Sequence, residues 1–249
     1  MKYRPLRYVS TATMALTIGS VSLPVHSEFR LGAGMANTSG EYKDSQGNVY
    51  ALPVIQYQSE LININIDRAE VYLPISQHSW LSALASLRLQ TLNEDTSKAT
   101  RGIEARKESL DAGVGIHSFD DAIGYLGLEW VHDISQQHKG HELSLIAAMP
   151  LEGPRLSITP SVFINQLSEE LVDYYYGIRT SEVRSERPLY QGQATTNIGG
   201  SLDIHYRMTS RWRLQSETSI TQLGSGISDS PIIDTKVRWN TMLSVSYQL

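Results

Sequence analysis

The sequence predicts an all-β protein, an antiparallel transmembrane β-barrel of about twelve strands with short turns at one end and longer loops at the other. Three observations predict it. Apolar and polar residues alternate with a period of two along most of the chain, which is the signature of strands. The connections between the alternating stretches are short and long by turns. The aromatic residues are mostly those with a polar edge, 13 Tyr and 4 Trp against 3 Phe. Such rings suit a surface where one end is apolar and the other wet.

The 249 residues are 41% hydrophobic and 19% charged, with a formal net charge of -5 and no cysteine. Zero Cys excludes a disulfide framework, a Cys-ligated zinc site and a thiol nucleophile. The acidic balance argues against nucleic acid as a partner, because phosphate contacts need a clustered basic surface.

Residues 1–27 read as a secretory signal peptide. Lys2, Arg4 and Arg7 form a positive start, a modestly apolar core follows around 14–25, and Val25 and Ser27 sit where a small-residue cleavage site needs them, so cleavage falls between Ser27 and Glu28. Removal takes three of the 21 Lys and Arg and none of the 26 acids, which leaves -8 on residues 28–249. No later segment approaches the roughly 20 apolar residues of a membrane-spanning helix.

From residue 28 the strands follow in order. The first, 28–36, sets Phe29, Leu31, Ala33 and Met35 against Arg30, Gly32 and Gly34. The next three, 49–58, 60–66 and 69–76, include the clear alternation of Ile62, Ile64 and Ile66 with Asn63 and Asn65. Strands 79–91, 109–118, 122–132, 141–149 and 155–165 continue it. The last three, 194–207, 211–223 and 237–249, each show one apolar and one polar face, as in Val237, Trp239, Leu243 and Val245 opposite Arg238, Asn240, Ser244 and Ser246. Long loops fall at 37–48, 93–108, 166–193 and 224–236. Tight turns fall near Ser59, Gln77, Phe119, Gly153 and Thr209. Both termini then lie at the turn end, which in an outer-membrane barrel is the periplasmic one, and the cell outer membrane of a Gram-negative bacterium is the expected location.

Aromatic residues fall near strand ends. Phe29, Tyr57, Trp80, Phe119, Tyr206, Trp212 and Tyr247 lie at the turn end; Tyr50, Trp130, Phe163 and Trp239 lie at the loop end. Two interfacial girdles against outer-membrane lipid are the expectation. The polar faces assigned to the lumen carry Arg30, Glu70, Asp111, Glu129, Glu142, Asp203, Arg211, Arg213, Glu217 and Arg238. Opposite charges there would tend to fill a narrow barrel, with cross-strand pairing expected among Asp203, Arg213 and Arg238. The 28-residue loop 166–193 is a candidate inward plug, and Tyr174, Tyr175, Tyr176 and Gly177 within it are candidates for a plug or a partner contact.

The usual catalytic motifs do not occur in the sequence: no G-x-S-x-G elbow, no H-E-x-x-H, no phosphate loop. His132, His138 and His141 cluster around one loop, but loop histidines are more often solvated than metal-bound. No catalytic residue, cofactor or metal ligand is assigned.

Several stretches carry a resemblance. Leu31-Gly32-Ala33-Gly34, then Tyr42-Lys43-Asp44, then Val49 to Tyr57, with Asp173-Tyr174-Tyr175-Tyr176-Gly177-Ile178 and Asp229-Ser230-Pro231-Ile232-Ile233-Asp234, resemble the MipA/OmpV family (MltA-interacting protein family) of outer-membrane β-barrel proteins. The resemblance runs in order along 28–249. It departs at the last residue, where such barrels usually carry Phe and this chain has Leu249. The resemblance implies a scaffold in peptidoglycan biogenesis that binds an MltA-like lytic transglycosylase and a bifunctional penicillin-binding protein. The short turns leave little surface for that, well under the roughly 800 Å² per partner of a standard interface. A small-solute channel is the alternative.

Overall fold

The computed structural model describes residues 27–45 and 47–249. The expected signal peptide, Ser27 apart, lies outside the described residues.

The chain folds into twelve staves: β1 (Glu28–Thr38), β2 (Asn48–Gln58), β3 (Ile62–Ile64), β4 (Arg68–Pro74), β5 (Ser79–Arg88), β6 (Ser109–Asp120), β7 (Gly124–Asp133), β8 (His141–Ala148), β9 (Leu156–Leu167), β10 (Thr195–Arg207), β11 (Trp212–Gln222) and β12 (Val237–Gln248). Leu151–Glu152 continues β8 past Met149 and Pro150 and pairs with the start of β9. Every neighbouring pair is antiparallel, and β12 closes on β1 through nine registered pairs from Arg30↔Gln248 to Thr38↔Asn240. Closure removes the free edges that an open sheet would present, save along β2 above its two pairs with β3.

Register fixes which face looks inward, because directly opposed residues share a face. Arg30, Arg68, Glu70, Arg88, Asp111, Glu129, Glu142, Asp203 and Arg238 are all buried inside. Leu31, Met35, Val71, Val114, Ile116, Leu145, Val162, Ile220 and Leu243 are exposed outside. The barrel is polar within and apolar without, the reverse of a soluble sandwich.

The aromatic placement needs correction. Phe29, Tyr206, Trp212, Trp130 and Trp239 do face outward near strand ends. Trp80 and Phe163, expected in the girdles, point into the barrel and are 6% and 7% exposed. Trp80 lies opposite His117, and Phe163 opposite Ile146. Both join Tyr72, Tyr125 and Ala148 in an apolar cluster inside the turn end. Their alternation parity carried this fact; proximity to a strand end did not.

Two other expectations shift. The stave expected at 60–66 pairs only over Ile62–Ile64, because Asn65 N–H already donates to Arg68 O at 2.7 Å and turns the chain back. The loop 166–193 contains a helix, α1 (Glu169–Tyr176). Ser168 caps it, accepting from the Leu171 N–H, and Glu169 and Glu170 in the first turn complement the helix dipole. Gly177 ends it, donating its N–H to Asp173 O at 2.9 Å. Leu171, Val172, Tyr175 and Tyr176 form its buried face.

Candidate functional site

The barrel interior and the loops over its mouth form the site. Three polar networks run up one side of the lumen, each centred on an arginine. At mid-height Arg68 Nη2 donates to Glu129 Oε1 at 2.8 Å and its Nε to Glu70 Oε2 at 3.4 Å, while Tyr72 OH donates to the same Glu70 oxygen at 3.0 Å. Above it Arg88 holds Asp111 Oδ2 at 2.8 Å and Glu142 Oε2 at 2.9 Å. At the mouth Arg238 Nη1 donates to Glu41 Oε2 at 2.9 Å. Charges buried in this way are tolerated because each is paired and hydrogen-bonded.

Loops close the mouth. α1 lies over it, and Tyr42, Leu92, Ile103, Leu167, Leu223, Ile227, Ile232 and Ile233 pack with its buried face in one apolar cluster. Polar contacts anchor the cap to the wall. Gln90 Nε2 donates to Tyr176 OH at 2.9 Å, and Ser230 Oγ to Tyr176 O at 2.6 Å. Arg106 Nε donates to Tyr174 O at 2.7 Å and its Nη2 to Glu182 Oε2 at 2.9 Å. Burial pushes the Glu182 carboxyl up, but the Arg106 guanidinium and the backbone N–H groups of Arg179 and Glu104 outweigh it and hold the pKa below the usual value. Tyr175 OH donates to Lys107 O at 3.0 Å.

Of the residues singled out in the sequence, Tyr175 and Tyr176 are buried beneath the cap, and Tyr174 packs edge-on against Tyr175 at 4.8 Å. Gly177 is the stop of α1, where a Cβ would come within 2.3 Å of Asp173 O. Among the lumen charges, Arg30 donates to Gln248 Oε1 at 2.8 Å, Glu129 pairs with Arg68, and Arg238 pairs with Glu41 from the first loop instead of Asp203. Asp203 accepts from Ser201 Oγ at 3.3 Å. Arg213 faces the interior half-exposed. Arg211, assigned to the lumen, sits exposed in a turn and donates to Tyr247 OH at 2.7 Å. Sequence reasoning missed Glu41, Arg68, Arg88 and Arg106. The first and last are loop residues and the others stand near strand ends, and nothing local announces a partner tens of residues away.

Two acid and histidine clusters have the composition of metal sites: Glu70 with His117 and Glu129, and Asp111 with Asp133 and His138. The donors are already engaged. Arg68 binds both glutamates, Arg88 binds Asp111, and Asp133 accepts the N–H groups of Ser135, His138 and Lys139 at 2.7 to 2.8 Å. A cation would have to displace an arginine. The three loop histidines also separate: His138 turns inward to Asp111 at 3.1 Å, while His132 and His141 flank the outer ring of Trp130.

Ser82 Oγ and His117 Nε2 lie 2.8 Å apart, the spacing of a nucleophile and its base. The rest of that arrangement differs. His117 Nδ1 meets the Tyr125 hydroxyl at 2.7 Å, where an orienting carboxylate would stand, and Glu70 sits on the Nε2 side at 3.6 Å. Trp80 stacks on the imidazole at 5.5 Å. These contacts knit the inner wall together.

An apolar outer belt, a polar and paired interior, aromatic rings near the strand ends and a mouth closed by folded loops define an outer-membrane β-barrel protein. The chain belongs to the family of the MltA-interacting protein MipA, whose family model matches residues 31–249. It is similar to the outer membrane protein Omp26La of Vibrio anguillarum, at 26% identity over 63% of this chain and 61% of that protein. It therefore spans about three fifths of that relative. It is also similar to the putative outer membrane protein YiaT of Escherichia coli K12, at 26% over 89% of this chain and 91% of that one. The MltA-interacting protein of Escherichia coli K12 is 25% identical over 87% of this chain and 88% of that protein. Among solved structures, a NanC porin covers 90% of this chain and 100% of its own at a TM-score of 0.43 and 7% identity, too distant to inform function. The short turns and both described ends of the barrel thus face the periplasm, and the capped mouth faces outside.

Proposed function

We propose that this protein is a non-enzymatic scaffold of the outer membrane that joins a murein hydrolase to murein synthesis. The observation that carries this reading is the closed mouth: α1 and the loops around it occupy the extracellular opening with an apolar cluster and arginine-held contacts. A barrel filled in this way offers surfaces to partners more readily than a path to solutes. The name of a relative, the MltA-interacting protein, supports a lytic transglycosylase as one partner, and the family resemblance adds a bifunctional penicillin-binding protein. In this reading Tyr174 to Gly177 belong to the plug, and Arg30, Glu129, Asp203, Arg213 and Arg238 serve to fill and hold the lumen. Partners then contact the periplasmic rim, where turns such as Gln77–His78 and Met208–Arg211 are exposed. Affinity capture of the folded protein in mild detergent tests it. Enrichment of a murein transglycosylase is expected, and its absence above background removes the main support.

A small-solute channel is the second reading. One observation favours it: the interior facing β1, β11 and β12 is less filled than the rest, with Gly32, Gly34, Glu217, Ser219 and Met242 half-exposed. Steady conductance of the intact protein in planar bilayers would support it.

A further inference from the structure

The barrel is closed unevenly. β2 makes eleven registered pairs with β1 but only two with β3, Tyr57↔Ile64 and Gln58↔Asn63, both at the periplasmic end. The β3–β4 hairpin turns back at once, and its tip meets β5 where Leu87 N–H donates to Asp67 O at 2.7 Å. Above that tip the wall passes from β2 straight to β5. In a regular barrel that leaves three strand spacings, about 14 Å, between β2 and β5.

The edge of β2 along this gap is identifiable. Ser59 N–H donates to Ile62 O at 2.8 Å, so by antiparallel alternation Tyr57, Ile55, Pro53, Ala51 and Val49 all turn their backbone groups toward the β3 side. Tyr57 finds Ile64; among the described residues the positions above it have no registered partner there. These positions lie inside the lipid-facing belt. Ala51 is level with Met35 and Leu243, both more than half exposed on the outer surface. An unpaired edge at that depth is costly in hydrocarbon, and barrels ordinarily close to avoid it. Pro53 lessens the cost by removing one donor, and the same missing N–H disfavours a partner's strand adding here.

Behind the gap the lumen changes character. β1 and β2 present Gly34, Ala36, Leu52 and Val54 inward, and β12 adds Met242 opposite Ala36. Leu52, Gly34 and Met242 are half-exposed, whereas the arginine-filled wall from β4 to β9 is buried along most of its inner face. A recess whose apolar walls are Leu52 and Met242, with Ser244 opposite Gly34 and Glu217 opposite Met242, therefore stands beside this weakly paired seam, at the depth of the belt that contacts the bilayer.

We infer that this seam is a lateral site for an acyl chain of a lipid in the extracellular leaflet, which enters between β2 and β5 and lies against Leu52 and Met242. The chain supplies apolar contact to the recess and shields the β2 edge; its headgroup stays at the interface. The inference is independent of the scaffold reading, because it concerns the wall and not the periplasmic rim.

The test uses the whole protein in vesicles of phosphatidylethanolamine and phosphatidylglycerol carrying a phospholipid with a photoactivatable diazirine in its acyl chain. Adducts are mapped by peptide mass spectrometry. Labelling of inward-facing Leu52 and Met242 is expected alongside outward-facing Met35 and Leu243. In Leu52→Trp, which fills the recess, the inner adduct at Met242 should vanish while the outer ones persist. Met242→Trp, read at Leu52, serves if the first variant does not assemble, as judged by heat-modifiable migration on gels. Labelling confined to outward residues overturns the inference. So does inner labelling indifferent to both variants, or a polypeptide crosslinked along residues 49–55 with no inner adducts.

Discussion

Arg88 on β5 reaches Asp111 on the adjacent strand at 2.8 Å and Glu142, three strands along the wall, at 2.9 Å. One guanidinium therefore ties β5, β6 and β8 together across the interior. Removing it leaves two carboxylates buried without a counter-charge, and breaking a buried pair in this way typically costs about 3–5 kcal/mol. Arg88→Met should lower the urea midpoint of unfolding strongly. Adding Asp111→Asn and Glu142→Gln to it should recover much of the loss, because the uncompensated charges are then gone.

The extracellular cap has its own test. Leu171 is 1% exposed at the centre of the apolar cluster formed by α1 and the surrounding loops. Truncation of such a residue costs about 2–5 kcal/mol through lost burial and the cavity left behind. Leu171→Ala should speed amide exchange in 169–178 with little effect on the staves. Deletion of 169–176 should turn a quiet barrel into one with steady conductance in planar bilayers.

Acid should loosen the same cap. The Glu182 carboxyl is held below its ordinary pKa chiefly by the Arg106 guanidinium, against the upward push of burial. A depressed folded-state pKa means that the contribution is fully present above the unfolded value, about 4.3 for Glu. It is lost as pH falls through the lower folded value. Amide exchange of Glu104 and Arg179, whose N–H groups donate to the Glu182 carboxylate, should therefore rise as pH drops below about 4 once corrected for intrinsic rates. Glu182→Gln should show the fast exchange already at neutral pH and no further pH response.

A backbone site provides a local control. Gly124 opens β7 with φ of +88°, and a Cβ there would stand 2.3 Å from Ala148 O. Alanine is both strained in that conformation and in contact with fixed backbone, so Gly124→Ala should destabilise by about 1–3 kcal/mol. The thermal midpoint of the heat-modifiable band should fall. The neighbouring Ala122→Gly, in the exposed turn, should move it far less.

Much of the architecture is legible from individual residues. The alternation of Ile62 and Ile64 with Asn63, or of Phe29, Leu31 and Met35 with Arg30 and Gly34, fixes strand, face and approximate count, because a period of two is a local property. The helix in 166–193 reads as loop: Ser168, Glu169 and Glu170 before an apolar pattern and Gly177 after it are start and stop signals, but three tyrosines in succession obscure them. The girdles show where local reading stops. Trp80 and Phe163 sit near strand ends as interfacial rings do, yet their parity turns them inward.

The amino-acid sequence by itself determined that this is a barrel, roughly where its staves lie, and that its interior carries charges of both signs. Those follow from periodicity and turn chemistry, which act over a few residues. Only the tertiary structure decided that Arg68, Arg88 and Arg238 each choose a particular acid, that α1 closes the mouth, and that β2 and β3 meet over just two pairs. Those depend on the register in which distant strands come together, and a shift of two residues would keep every alternation intact while changing every partner.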